Sequence, residues 1–128
     1  MLPSTVLKPL QDKGYEPVIQ EDGGMICVTI PQYRLPDGYA PACVDLLLRL
    51  PPGFPDVPPD MFWTDPVVTY NDGHPPLATE LRESYLGRSW QRFSRHLEPA
   101  AWRPGQDSLQ SYITLIHNDL AREASQRG

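Results

Sequence analysis

The chain has 128 residues, enough for one domain that hides roughly two-thirds of its unfolded surface in a core. Eleven basic against sixteen acidic side chains leave a net charge of −5 and no basic block to grip phosphate, so neither nucleic acid nor an acidic membrane surface is an expected partner. No window approaches about 18 apolar residues, the N-terminus lacks the basic and apolar regions of a signal peptide, and the two cysteines have no metal-ligand spacing, so a soluble protein of the reducing cytoplasm is expected.

Residues 3–13 place Val6, Leu7 and Leu10 at helical spacing behind Ser4 or Thr5 as caps, and Gly14 ends this first helix. Two antiparallel strands follow over 15–20 and 25–30, because Glu21-Asp22-Gly23-Gly24 between them has the composition of a hairpin turn. Pro36-Asp37-Gly38 marks another turn, and a third strand is expected over 42–50. Cys27 and Cys43 lie among apolar and β-branched neighbours, the setting of small core residues; a disulfide between adjacent strands is the alternative.

Residues 51–59 then crowd five prolines around Gly53 and Phe54 before the strand-like Met61-Phe62-Trp63-Thr64. Proline fixes φ and has no N–H to donate, so the stretch is expected as a rigid, extended crossover with Phe54 and Phe62 buried beneath it. Residues 67–103 show no clean period, and the one element read there is a short helix around 79–85. A segment that long without regular structure is more often functional than not. The chain closes on a helix over 107–126: Asp107 and Gln110 resemble a capping box, and Leu109, Tyr112, Ile113, Ile116 and Leu120 form one apolar stripe. The fold class read from this order is α+β, a four-stranded antiparallel meander flanked by an N-terminal and a C-terminal helix in one domain over 1–128.

The apolar strand, the Pro51 to Phe62 signature, Gly73-His74-Pro75 and Trp102-Arg103-Pro104 come in the order of the ubiquitin-conjugating (E2, UBC) fold, which this chain resembles over most of its length. In more detail, Trp90-Gln91-Arg92-Phe93-Ser94-Arg95-His96 followed by Trp102-Arg103-Pro104 resembles the bacterial prokaryotic E2 family E. The resemblance implies a place in a bacterial ubiquitin-like conjugation pathway, with an E1-like activating enzyme and a ubiquitin-like protein as partners and no cofactor.

Two departures from the E2 pattern bear on activity. Ordinary E2 enzymes carry the acyl group on a cysteine about eight residues before the Trp-x-Pro, whereas no cysteine follows Cys43 and the counted position holds Ser94. Pro76 stands where the family has an asparagine thought to stabilise the oxyanion, and proline donates no hydrogen bond. Ordinary thioester chemistry is therefore not expected.

A serine nucleophile needs a base and donors for the oxyanion. In an extended segment Arg92, Ser94 and His96 share a face, so His96 is the candidate base and Arg92 the candidate cation. The competing reading makes Ser94 and His96 ordinary polar residues packed among Trp90, Phe93 and Trp102. His74 is expected to organise its turn through ring-to-backbone hydrogen bonds, and the three histidines lack metal-ligand spacing. Phe54, Trp90 and Trp102 are core or rim aromatics that mark a docking surface wherever exposed, together with His74. Two functions follow: an E2-like carrier holding a ubiquitin-like C-terminus as an oxyester on Ser94, or a non-catalytic E2 variant that binds a ubiquitin-like protein or an E1-like enzyme. An interaction domain of the RWD type, outside conjugation, leaves the Trp90 to His96 stretch unexplained.

Overall fold

The computed structural model of the chain describes residues 4–95, 102–104 and 106–127, with the backbone alone at 4 and 5. The first helix, α1 (Ser4–Asp12), ends in a Schellman motif: Tyr15 N–H reaches the Leu10 carbonyl at 3.1 Å and Gly14 N–H the Gln11 carbonyl at 2.9 Å. Gly14 is the residue that makes this possible, since its φ of 89° is a left-handed conformation that a side chain disfavours.

Strands β1 (Val18–Asp22) and β2 (Met25–Arg34) are joined by Gly23 and Gly24, both at positive φ, as a primed hairpin turn requires. β2 pairs with β4 (Cys43–Leu50), and the register slips between Ile30 and Tyr33. Pro31 cannot donate to the ladder and Gln32 turns to a φ of 56°, so a bulge absorbs both. Between them β3 (Tyr39–Ala40) leaves the main sheet to pair with β6 (Thr69–Tyr70) in a two-stranded ribbon.

β5 (Phe62–Asp65), β7 (Arg82–Tyr85) and β8 (Arg88–Phe93) complete a six-stranded antiparallel sheet in the order β1-β2-β4-β5-β8-β7. The alternation of β4 divides the interior. Val44, Leu46, Leu48 and Leu50 face α2 (Leu109–Arg127), whose Leu109, Tyr112, Ile113, Ile116 and Leu120 are buried against them. Leu47 points the other way, into a smaller cluster with Cys27, Trp63 and Trp90. Both cysteines are free thiols, Cys27 buried and Cys43 half-buried. Among the described residues no helix is long and apolar enough to cross a membrane.

Four expectations need correction. The sheet has six strands rather than the four of the expected meander, β7 and β8 being the additions. Residues expected as a short helix around 79–85 instead form β7, and much of the stretch read as irregular is the β7–β8 hairpin. Its turn is Leu86-Gly87, both at positive φ, and the leucine hides the usual Asn-Gly or Asp-Gly signal. The proline stretch is a run of turns rather than an extended path: Phe54 N–H bonds to the Pro51 carbonyl and Val57 N–H to that of Gly53. Phe62 is fully buried, but Phe54 is only half-buried, tilted against Trp102 with ring centres 6.2 Å apart. The helix cap is also displaced by one residue. Ser108 Oγ accepts from Ser111 N–H and Ser111 Oγ accepts from Ser108 N–H, a reciprocal box, while Asp107 receives the Arg103 N–H and the Ser111 hydroxyl.

Candidate functional site

Ser94 stands just past the end of β8, half-buried, where its N–H bonds to the Ala78 carbonyl at 2.9 Å. Two residues earlier, Arg92 N–H bonds to the Leu81 carbonyl, so the loop over 78–81 runs beside this end of the sheet. The period of a strand puts Arg92 and Ser94 on one face, as expected from the sequence, and Arg92 Nε donates to Ser94 Oγ at 2.8 Å. The other end of the guanidinium meets Glu83 Oε2 at 3.2 Å. Glu83 Oε1 accepts in turn from Trp63 Nε1 at 2.9 Å and from the Tyr85 hydroxyl at 3.2 Å. One connected network thus spans β5, β7 and β8.

The chemistry follows from the inventory of donors. A guanidinium donates only, so Arg92 can oppose negative charge on Ser94 Oγ but cannot take its proton. His96, the expected base, lies outside the described residues. His74 is exposed in the loop after β6; its ring Nδ1 and its N–H both lie 3.0 Å from Asp72 Oδ1, and its carbonyl accepts from Tyr70 N–H. The ring therefore meets a side-chain carboxylate rather than the backbone expected of it, and the bonds that close the turn come from the His74 N–H and carbonyl. The His74 N–H is the first cause, and the Arg127 guanidinium the second, that hold the Asp72 carboxyl far below the usual carboxylate range.

The aromatic candidates separate. Trp90 is wholly buried, with Nε1 on the Tyr85 carbonyl at 3.0 Å, and from that position it offers no surface to a partner. Trp102 is half-buried and ties its Nε1 to the Pro55 carbonyl at 2.8 Å, which pins the crossover to the chain ahead of α2.

A second polar cluster lies where α2 meets the loop over 70–78. The Tyr70 hydroxyl donates to Glu123 Oε2, which also accepts Leu77 N–H at 3.2 Å, and Arg95 pairs with both Glu123 and Asp119. Burial, and then the bond to Glu123, push the Tyr70 phenol above its ordinary range. Read from the sequence, Glu83 forms a solvated face with Glu80 and Glu123 has no assigned role; the structure instead half-buries Glu83 within the network. Glu123 left a trace, since it continues the stripe of Ile116 and Leu120 where an apolar residue belongs. Glu83 left none, because Trp63 and Arg92 reach it from other strands of the sheet. Among the described residues no group of three or more histidines, cysteines and carboxylates is placed to hold a metal ion.

Compared with known proteins, the chain matches a family model described as Prokaryotic E2 family E over residues 2–123. No curated protein and no solved structure matches it.

Proposed function

Because a match of that extent means that this chain belongs to the prokaryotic E2 family E, we propose that its E2-like role in bacterial conjugation is that of a scaffold, which holds a ubiquitin-like protein or its E1-like enzyme without forming an acyl bond of its own. The observation that carries this reading is the bond from Arg92 to Ser94 Oγ. A lone pair engaged by a cationic donor attacks less readily, and Arg92 is held in that position by Glu83. The thiols support the same reading: both sit on strands of the sheet, Cys27 wholly buried and Cys43 beside Arg34 across the ladder.

We read the fold as UBC-like and as one unit over 1–128, working in the cytoplasm. The order of α1, the strands β1, β2, β4 and β5, the proline crossover and a helix packed on the sheet supports that reading. The β7–β8 hairpin extends the sheet beyond the four strands of the expected meander. Half-buried Trp102 and Phe54 and exposed His74 are the recognition aromatics; Trp90 serves the core.

The carrier reading keeps one observation in its favour. Ser94 is not fully buried, and Arg92 beside it would meet the oxyanion of an acyl group. Incubation with the cognate E1-like protein, ubiquitin-like protein and ATP separates the two. The scaffold forms a complex that Ser94→Ala leaves intact and shows no covalent adduct under denaturing conditions. An adduct that survives thiol reductant, yields to hydroxylamine and disappears in Ser94→Ala would establish the carrier instead.

A further inference from the structure

A cleft of about 340 Å3 opens on the sheet face turned away from α2, between the proline crossover and the β7–β8 hairpin. Met25, Val57, Pro58, Met61, Trp63 and Tyr85 give it apolar walls. The crossover wall is preformed. Val57 N–H is bonded to the Gly53 carbonyl at 2.9 Å, and Gly53 lies so close beneath Val57 that an added Cβ would meet its Cγ2 at 2.6 Å. The two methionines of the lining, Met25 and Met61, can adjust to aliphatic side chains of different shapes.

Charge in this cleft is unevenly matched. Arg92 and Glu83 neutralise each other at 3.2 Å, and Asp60 stands exposed on the rim. Arg49 has no carboxylate partner among the described residues. Its guanidinium lies 3.9 Å over the centre of the Tyr85 ring, Nη2 donates to the Asp22 carbonyl at 3.0 Å, and Nε is buried with no acceptor. A half-buried cation against an aromatic face in an apolar cleft attracts a carboxylate more strongly than it would in water.

We propose that this cleft binds the C-terminal end of a partner polypeptide, with aliphatic side chains on the methionine and Trp63 walls and the terminal carboxylate on Arg49. The volume is at the low end of the range for small-ligand pockets, about 300–1,000 Å3, which admits a few residues of extended chain and not a helix about 10 Å across. Capture of a terminal carboxylate is an established mode of peptide recognition, and a guanidinium can bind a carboxylate by charge-assisted hydrogen bonds. The site does not depend on the scaffold reading, because neither Ser94 nor an acyl transfer enters it.

Fluorescence polarisation with labelled pentapeptides ending in Ala, Val, Leu, Ile or Phe tests this, each made with a free and with an amidated C-terminus. At least one free acid binds about tenfold or more tightly than its amide, and Arg49→Gln removes that difference. Val57→Asp, a change at a half-exposed wall residue, weakens the acid about tenfold or more while thermal melting stays near wild type. It keeps the test decisive if the Arg49 variant does not fold. Equal binding of acids and amides would overturn the proposal, as would failure of every peptide to bind. So would wild-type affinity in Val57→Asp, or equally tight binding of amidated peptides that carry the carboxylate on an internal Asp.

Discussion

Asp72 is exposed, yet three donors converge on it: the His74 N–H, the His74 ring and the Arg127 guanidinium. The charged carboxylate is what they bind, so its folded pKa lies below the ordinary 3.8. The sign follows directly. Protons bind the unfolded chain first, so the contribution of Asp72 to stability is whole above 3.8 and is lost as the pH falls below that value toward the depressed folded one. In an NMR titration of the aspartate carboxyls, Asp72 should give a midpoint below 3.8, and Asp72→Asn should make the stability of the chain less sensitive to acid. A midpoint at or above 3.8 would sink this account. Residue by residue, what the sequence reveals depends on how local the partner is. Arg92 beside Ser94 and His74 within its own turn are readable because the partners lie two residues apart. The Glu83 end of the Arg92 bridge is not, since a hairpin with an uncommon turn brings it there.

At the scale of elements, the proline crossover and β5 together set how the sheet begins to close. Phe62 is fully buried and stacks on Phe93 with ring centres 4.5 Å apart, whereas Phe54 has only Trp102 and the margin of the core. In urea unfolding, Phe62→Ala should cost about 3–5 kcal/mol, the range for a buried aromatic. Phe54→Ala should cost about 2 kcal/mol, in keeping with partial burial. Equal losses would show that the crossover is packed more deeply than its exposure indicates. The two aromatics look alike in sequence, each in a Pro-rich or apolar setting, and only the tertiary packing ranks them. The elements that were legible are those whose ends carry their own chemistry: Gly14 closing α1, Gly23-Gly24 between β1 and β2, and the apolar stripe of α2. β7 reads as a helix in the sequence because Leu81 and the glutamates Glu80 and Glu83 suit a helix as well as a strand, and pairing with β8 decides between them.

Taken whole, the molecule covers both faces of its sheet, unequally. α2 and the large cluster occupy one side; the other is closed by the indole of Trp90, by Trp63 and by the residues at the tip of the β7–β8 hairpin. Trp90→Ala would leave a cavity on that thinner side, and its expected cost of about 3–5 kcal/mol should appear as an earlier urea midpoint. A shift of less than about 1 kcal/mol would mean that the side collapses without it.

The inequality of the two faces also sets a clock. Cys27 has 0% exposure beneath Trp90, while Cys43 is half-buried at the start of β4. A coloured disulfide reagent added to the native protein should therefore be consumed in two steps, one equivalent at Cys43 and a much slower one at Cys27. The slow rate reports how often the hairpin side of the sheet lifts open, because a thiol must meet the reagent before it can exchange. Trp90→Ala should quicken that second step and leave the first alone. Release of both equivalents in a single fast phase would mean that this side stands open in the native chain.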